Sequence, residues 1–541
     1  MSPGGQSPAT LRLEPPRQRA IRFACPSYRV VAVAVTVLCL QGVSPGTREP
    51  AGGLTAAPLL ARVYDAIFDA RFAHVPAALR DACGPAPPEA CMVLNDVALW
   101  WQIRLDPFNQ SGDATFQARV DATIAAAEAW TRREPQRAEA WFYLGGAYGT
   151  RVQWRVLRGE RLAAARDGRR IKEALETALA LDPELHDAWF GIGLYHYYAD
   201  VAPSAVKMLR WLLFLPGGDR VQGLQEMLRA RNRGALIRDE ADYQLHLIDL
   251  WYERNAGRAL TLLEGLRQRH PGNPHFLELI AEVQDTYQHD RTASLRSWRA
   301  LLDAARQQKV ELADMAETRA RLGMALQLDR LFETDKAIEH LRAVVAARPE
   351  APFGAVALAQ LQLGQALDRM GERSEAMTAY RAALALTPPN DPLNIVPRAR
   401  AGLREGPGVP AQAYRLSLEG WRALERGNIA AAARSINRSL ELRPDDPVTR
   451  YRQARLLEAQ HDETRALAVL EALVRERVTT PPTIYAEACV DAARLHEQRG
   501  APDRAIELYR NARTVFGADQ RTKDAAAGAL ARLQQQTTQR E

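Results

Sequence analysis

Catalytic signatures are scarce in this sequence. No H-E-x-x-H and no phosphate-binding G-x-x-x-x-G-K-[ST] string occurs, so neither a zinc-protease helix nor a nucleotide cradle is written into the chain. His289-Asp290 stands alone, without further His or Asp at ligand spacing, and reads as a helix end. His196 sits among aromatics and reads as a packed core histidine. Gly217-Gly218 precedes Asp219, whose charge opposes a phosphate, so the glycines read as a helix stop. No enzyme, cofactor or metal is expected from these residues. β-Branched runs of strand length are scarce outside the N-terminus, which excludes a large sheet. Apolar runs of membrane-spanning length are missing as well.

Positive charge is also in short supply once its position is considered. The chain carries a net charge of +6. Residues 1–46 hold Arg12, Arg17, Arg19, Arg22 and Arg29 against Glu14, which accounts for four of those charges and leaves two for the rest. A body so nearly neutral has no footprint for nucleic acid. Arg17–Arg29 precede the apolar run Val30–Leu40, followed by the turn-forming Gln41–Gly46. That order predicts a signal peptide over 1–46 and a periplasmic or secreted body. The alternative is an uncleaved inner-membrane anchor over residues 30–43. Leu38 beside Cys39 argues against a lipoprotein signal.

There are five cysteines. Cys25 and Cys39 leave with the signal if it is cut. Cys83 and Cys91 bracket a Pro- and Gly-rich turn, so a disulfide in an oxidising compartment and two buried thiols are both open readings. Cys489 lies among alanines on a helix and reads as core.

What is present is helix, repeated. Hydrophobic residues make up 47% and charged residues 25%, a folded balance rather than a disordered one. At 541 residues the chain exceeds one ordinary core and must be several domains or a solenoid. Ala, Leu, Arg and Glu dominate, all good helix formers. The stretch WFYLGGAY places Trp141, Leu144-Gly145 and Tyr148 in a fixed spacing, with Pro135 six residues ahead of Trp141. Pro183 stands six residues ahead of Trp189 in the same phase. The Pro135–Pro183 interval exceeds one unit, which predicts a long second helix or an inserted turn after Arg151. The cleanest later unit spans Ala357–Asn390, with Leu363-Gly364, Gly371, Ala376, Tyr380, Ala383 and Pro388 in register. Ala413–Asp446 repeats it with Gly420, Gly427 and Ala432. Small residues let paired helices approach, large ones fill the gap between pairs, and Pro breaks the second helix.

These motifs resemble the tetratricopeptide repeat family over most of residues 115–515. Residues 59–290 look like an exported bacterial branch with an extended first repeat. Lys207–Leu228, through Gly218-Asp219-Arg220 and Gly223-Leu224, is also similar to a eukaryotic repeat family of the mitochondrial outer membrane and inclusion-body clearance. The resemblance implies an all-α solenoid of helical hairpins wound as a right-handed superhelix. It also implies a protein partner, since such repeats serve as interaction scaffolds. In that register Phe142, Phe190, Leu194, Tyr197 and Tyr198 face one groove, with Lys207 and Arg220 at its edge. They are candidates for holding a peptide or helix, or alternatively a small apolar ligand. Trp100, Trp101, Trp154 and Trp211 are expected in the core.

The expected organisation has a signal or anchor at 1–46 and a linker with a helical cap at 47–137. An array follows at 138–390, then a Pro- and Gly-rich linker at 391–412 and a second array with a capping helix at 413–541. The expected function is a non-enzymatic scaffold of the bacterial cell envelope. The alternative is a ligand-binding or transporter-associated repeat subunit.

Overall fold

The computed structural model describes residues 53–201, 217–404 and 408–538. The signal or anchor segment, Cys25, Cys39, Lys207 and Trp211 lie outside the described residues. Those residues form twenty-four helices and no strand. Four N-terminal helices come first: α1 (Ala57–Phe68), α2 (Val75–Ala82), α3 (Pro88–Leu105) and α4 (Asp113–Arg133). Antiparallel pairs follow. They are α5 (Ala138–Leu157) with α6 (Arg161–Leu181), α7 (Ala188–Val201) with α8 (Arg220–Arg233), and α9 (Arg238–Trp251) with α10 (Ala256–Arg269). Next come α11 (Pro274–Thr286) with α12 (Arg291–Arg306), α13 (Ala313–Arg330) with α14 (Thr334–Ala347), and α15 (Ala355–Met370) with α16 (Arg373–Leu386). After the single α17 (Ile395–Arg404) stand α18 (Val409–Glu425) with α19 (Ile429–Leu442), α20 (Pro447–Ala459) with α21 (Glu463–Arg475), and α22 (Pro482–Gln498) with α23 (Pro502–Thr514). Helix α24 (Gln520–Thr538) closes the stack.

The sequence dictates both ends of these helices. Asp219 Oδ1 accepts from the Val221 and Gln222 amides at 2.8 and 2.9 Å, capping α8. Asn255, Asn273, Asp290, Asn428, Asp446 and Asp462 cap six later helices in the same way. Gly371, Gly427 and Gly500 take positive φ angles of 82°, 74° and 71° in the turns after α15, α18 and α22. Arg254, His289, Phe332 and His461 take the same left-handed conformation in the corresponding turns of other pairs. Those pairs are the ones whose repeat signature is faint.

Helix contact within pairs depends on missing side chains. A Cβ on Gly364 would stand 2.6 Å from the ring of Tyr380 on the partner helix, and one on Gly193 would stand 2.6 Å from the Gly223 carbonyl. First helices also touch the first helices of neighbouring pairs, as α11, α13, α15, α18, α20 and α22 do in succession. The second helices make no comparable contact with one another among the described elements. A stack that is tight on one side and splayed on the other is curved, so the first helices line its concave face.

Two expectations about organisation change. The long Pro135–Pro183 interval is filled by lengthening both helices, α5 and α6, to 20 and 21 residues. The stretch 391–412 includes α17, whose Ile395 and Ala399 are buried against α15 and α16. Asp391 accepts from the Ile395 and Val396 amides at 2.7 and 2.9 Å, so a Pro-rich stretch still starts a helix.

Candidate partner-binding face

The expected aromatic groove does not exist as one surface. Phe142 is buried in the N-terminal core against Tyr143. Phe190, Leu194, Tyr197 and Tyr198 belong to a separate cluster with Met227, Leu245 and Ile248. Tyr197 is 0% exposed, and its hydroxyl donates to Glu253 Oε1 at 2.6 Å. Burial and the Glu253 charge push its pKa up. Tyr197, Tyr198 and Tyr252 meet edge to face at 5.6–5.8 Å. Arg220 pairs with Glu253 at the rim. The physical reason is the helical spacing itself: residues three and four apart on α7 are the ones that α8 and α9 cover. These side chains pack neighbouring pairs together. Trp100, Trp101 and Trp154 are buried as well.

Other isolated features resolve in the same structural way. Asp290 Oδ1 caps α12 through the Ala293 amide at 2.8 Å. His196 Nδ1 lies 2.7 Å from Glu226 Oε2. Cys83 and Cys91 are disulfide-bonded with Cα atoms 6.0 Å apart. Cys489 is buried and free, its thiol pushed up to about 11 by burial. Asp65, Asp239 and His270 bring ligand atoms within 4.8 Å beside a hollow of about 230 Å³. His270 Nε2 already pairs with Asp239 Oδ2 at 2.8 Å, and Arg269 Nε donates to Asp239 Oδ1 at 2.7 Å. That carboxylate is held below the usual range even though burial opposes it, because His270 and Arg269 stand beside it.

The concave face divides into two halves. Over the N-terminal pairs it is covered by the chain's own α1 and α3. The α1 end is tied down where Asp69 Oδ1 accepts from the Gly272 amide and Asn273 Nδ2 donates to the Phe68 carbonyl, both at 2.7 Å. Helix α3 is buried nearly all round, with twelve of its eighteen residues buried, so it faces neighbours on every side.

Over the C-terminal pairs the concave face stays polar and partly open. Tyr451, Arg455 and Glu458 lie at i, i+4 and i+7 on α20. Glu487, Asp491 and Arg494 occupy the same positions on α22, 36 residues later. Tyr451 donates to Asp491 Oδ2 at 2.9 Å, Arg455 pairs with Asp491 at 3.2 Å, and Arg494 pairs with Glu458 at 2.6 Å. Glu487 is half-buried and pushed up to about 7, first by burial and then by Asp491 and Asp519. Such a face offers charge and hydrogen bonds at helix-turn intervals. Sequence reasoning misses it because α20 and α21 carry a faint signature. The signal available is the matching i, i+4, i+7 polar stripe on two first helices.

The array also folds back on itself. Asp290 Oδ2 accepts from the Gln520 amide at 3.0 Å, the His289 and Phe516 rings are 4.9 Å apart, and Arg296 reaches Asp519 at 3.4 Å. Arg422 grips Asp335 at 2.7 Å, and Tyr414 meets Thr334 at 2.8 Å.

Tetratricopeptide-repeat family models match residues 357–390 and 417–482. No curated protein matches the chain. Among solved structures, a tetratricopeptide repeat protein from Parabacteroides merdae aligns at 17% identity over 55% of this chain and 98% of its own, with a TM-score of 0.25. A Rap protein complexed with Competence and Sporulation Factor aligns at 13% identity over 88% and 99%, with a TM-score of 0.32. Yeast Tom70 aligns at 12% identity over 81% and 96%, with a TM-score of 0.25. At these scores no site or partner carries over from them. The family matches fall on α15–α16 and α18–α21, antiparallel helix pairs of an all-α solenoid. The chain thus carries tetratricopeptide repeats at residues 357–390 and 417–482. Repeats of this kind are in general protein-interaction modules without catalytic chemistry.

Proposed function

We propose that this protein is a non-enzymatic scaffold of the bacterial cell envelope that holds a segment of a partner protein along the concave face of α20 and α22. The observation that carries the proposal is the matched polar stripe, Tyr451–Arg455–Glu458 beside Glu487–Asp491–Arg494, on which the Arg455 and Arg494 side chains stay 39% and 42% exposed. Mixed charge at regular intervals suits an extended or helical polar segment better than an apolar small molecule. The envelope assignment draws its support from the Arg-flanked apolar run Val30–Leu40 and from the Cys83–Cys91 disulfide, which belongs to an oxidising compartment.

Photo-crosslinking in cells of the source organism tests the groove. A crosslinker at Arg455 captures a discrete protein, and one at Arg438 on the outer α19 does not. Equal capture at both sites, or none at Arg455, rejects the groove. N-terminal sequencing tests export, and an intact Met1 in a cytosolic fraction rejects it.

A further inference from the structure

Helix α3 lies across the array as a bound partner helix would. Trp100 Nε1 donates to Gln153 Oε1 on α5 at 3.1 Å. Trp101 sets its ring 5.2 Å from Tyr243 on α9 and 6.5 Å from Phe276 on α11. The Arg104 guanidinium stands 4.3 Å from the centre of the Tyr243 ring. At the end of the helix, Arg319 on α13 donates to the Leu105 carbonyl, and the Asp106 carboxylate accepts from the Phe353 amide at 3.0 Å. One helix thus reaches the first helices of four pairs and the start of a fifth. Its contacts with α9, α11 and α13 are made by side-chain tips, whereas its contacts with α4 and α5 are close helix packing.

The contact is also imperfectly matched. Arg104 Nη1, Trp101 Nε1 and both ring nitrogens of His246 are buried at this junction without hydrogen-bond partners. Unpaired buried polar groups weaken an interface by their lost hydration. The disulfide ties α2 to α3, so the hairpin moves as one piece.

We propose that residues 57–105 are an autoinhibitory occupant of the array. They fill in cis a groove over α9, α11 and α13 that otherwise takes an amphipathic helix carrying two aromatic side chains and a basic one. Opening separates α9–α13 from the hairpin, while α3 keeps its seat on α4 and α5. A partner helix then competes with a tethered ligand, whose effective concentration is on the order of millimolar. Access to the groove is therefore set by the strength of the Trp101 and Arg104 contacts.

The test uses the full chain and a fluorescent synthetic peptide of residues 87–107 with Cys91→Ser. Anisotropy titration compares wild type with the Trp101→Ala/Arg104→Ala variant. The variant is expected to bind the peptide at least about tenfold tighter than wild type. Hydrogen exchange in α9 and α11 of the variant is expected to speed up in the free protein and slow again on peptide addition. Equal affinity for both proteins, or no binding to a variant that keeps its helical circular dichroism, overturns the proposal. If the double variant unfolds, Arg104→Gln, which keeps both tryptophans, is read in the same way. Crosslinking at Arg455 reports on the C-terminal face, so that proposal and this one fail separately.

Discussion

His246 is the residue whose chemistry is most out of keeping with its place. It is 0% exposed, neither ring nitrogen has a partner, and burial lowers its pKa to about 3. An unfolded histidine titrates near 6.5. The fold therefore holds His246 neutral while the unfolded chain takes up a proton below pH 6.5. This contribution is fully present above that pH and is lost as pH falls toward 3, by up to about 1.4 kcal/mol per unit. Glu487 acts with the opposite sign. Its carboxyl, pushed up to about 7, favours the folded state at low pH and loses that contribution as pH rises from the ordinary range through 7. His246→Leu separates the two. Denaturant unfolding at pH 5 and pH 8 is expected to show the variant gaining stability over wild type more at pH 5 than at pH 8. An unchanged difference shows that His246 does not titrate with folding.

His461 makes a second argument at this scale. It is exposed and held at φ 61° in the turn between α20 and α21, where Gly371 and Gly427 serve in clearer repeats. Left-handed backbone costs an L residue on the order of 1 kcal/mol, which glycine avoids. His461→Gly is expected to stabilise the protein by about 0.5–1 kcal/mol in urea unfolding. Gly364→Ala is expected to destabilise it by about 1–3 kcal/mol, because the new methyl collides with Tyr380.

Among the helices, the pairs are legible where the small residues sit in register and faint where they do not. Ala376, Tyr380 and Ala383 are buried as their spacing predicts. Helix α2 escapes a reading by pattern because eight residues are too few to show a period. Helix α17 is hidden by its composition. The stretch is rich in Pro and Gly, yet Asp391 caps it and Pro397 falls within its first turn, where a missing amide costs nothing. The hairpin α2–α3 makes a chemical prediction. Thiol counting on the processed chain, denatured without reductant, is expected to find one reactive thiol, that of Cys489, and the same thiol stays unlabelled in the native protein because it is buried. Three reactive thiols exclude the bridge.

Across the full array, side-chain ties join helix pairs that are far apart in the chain. Asp290 serves twice, capping α12 and accepting from the Gln520 amide at the start of α24. Asp462 caps α21 and makes no such tie among its described hydrogen bonds. Both lose a cap on substitution, worth about 1 kcal/mol. Asp290→Ala is therefore expected to cost more than Asp462→Ala and to raise hydrogen exchange in the first turn of α24. Equal costs and unchanged exchange would show that the closure adds nothing to stability.

The class of fold follows from the residues alone. Helix formers, small residues at fixed intervals, capping side chains and a recurring Trp–Leu-Gly–Tyr spacing act over one or two turns of helix, and local chemistry of that kind is readable in one dimension. The same reading marks the cysteines that the structure joins. Which surfaces remain available is settled only by packing in three dimensions. Phe142, Tyr197 and Tyr198 have the right spacing for a groove, but spacing names a helix face and not what packs on it. That α3 lies over α9, α11 and α13, and that Asp290 meets Gln520, depends on how many small pair-to-pair rotations accumulate along the stack. No short stretch of residues encodes that sum, so the division of the concave face into a covered half and an open one belongs to the folded array.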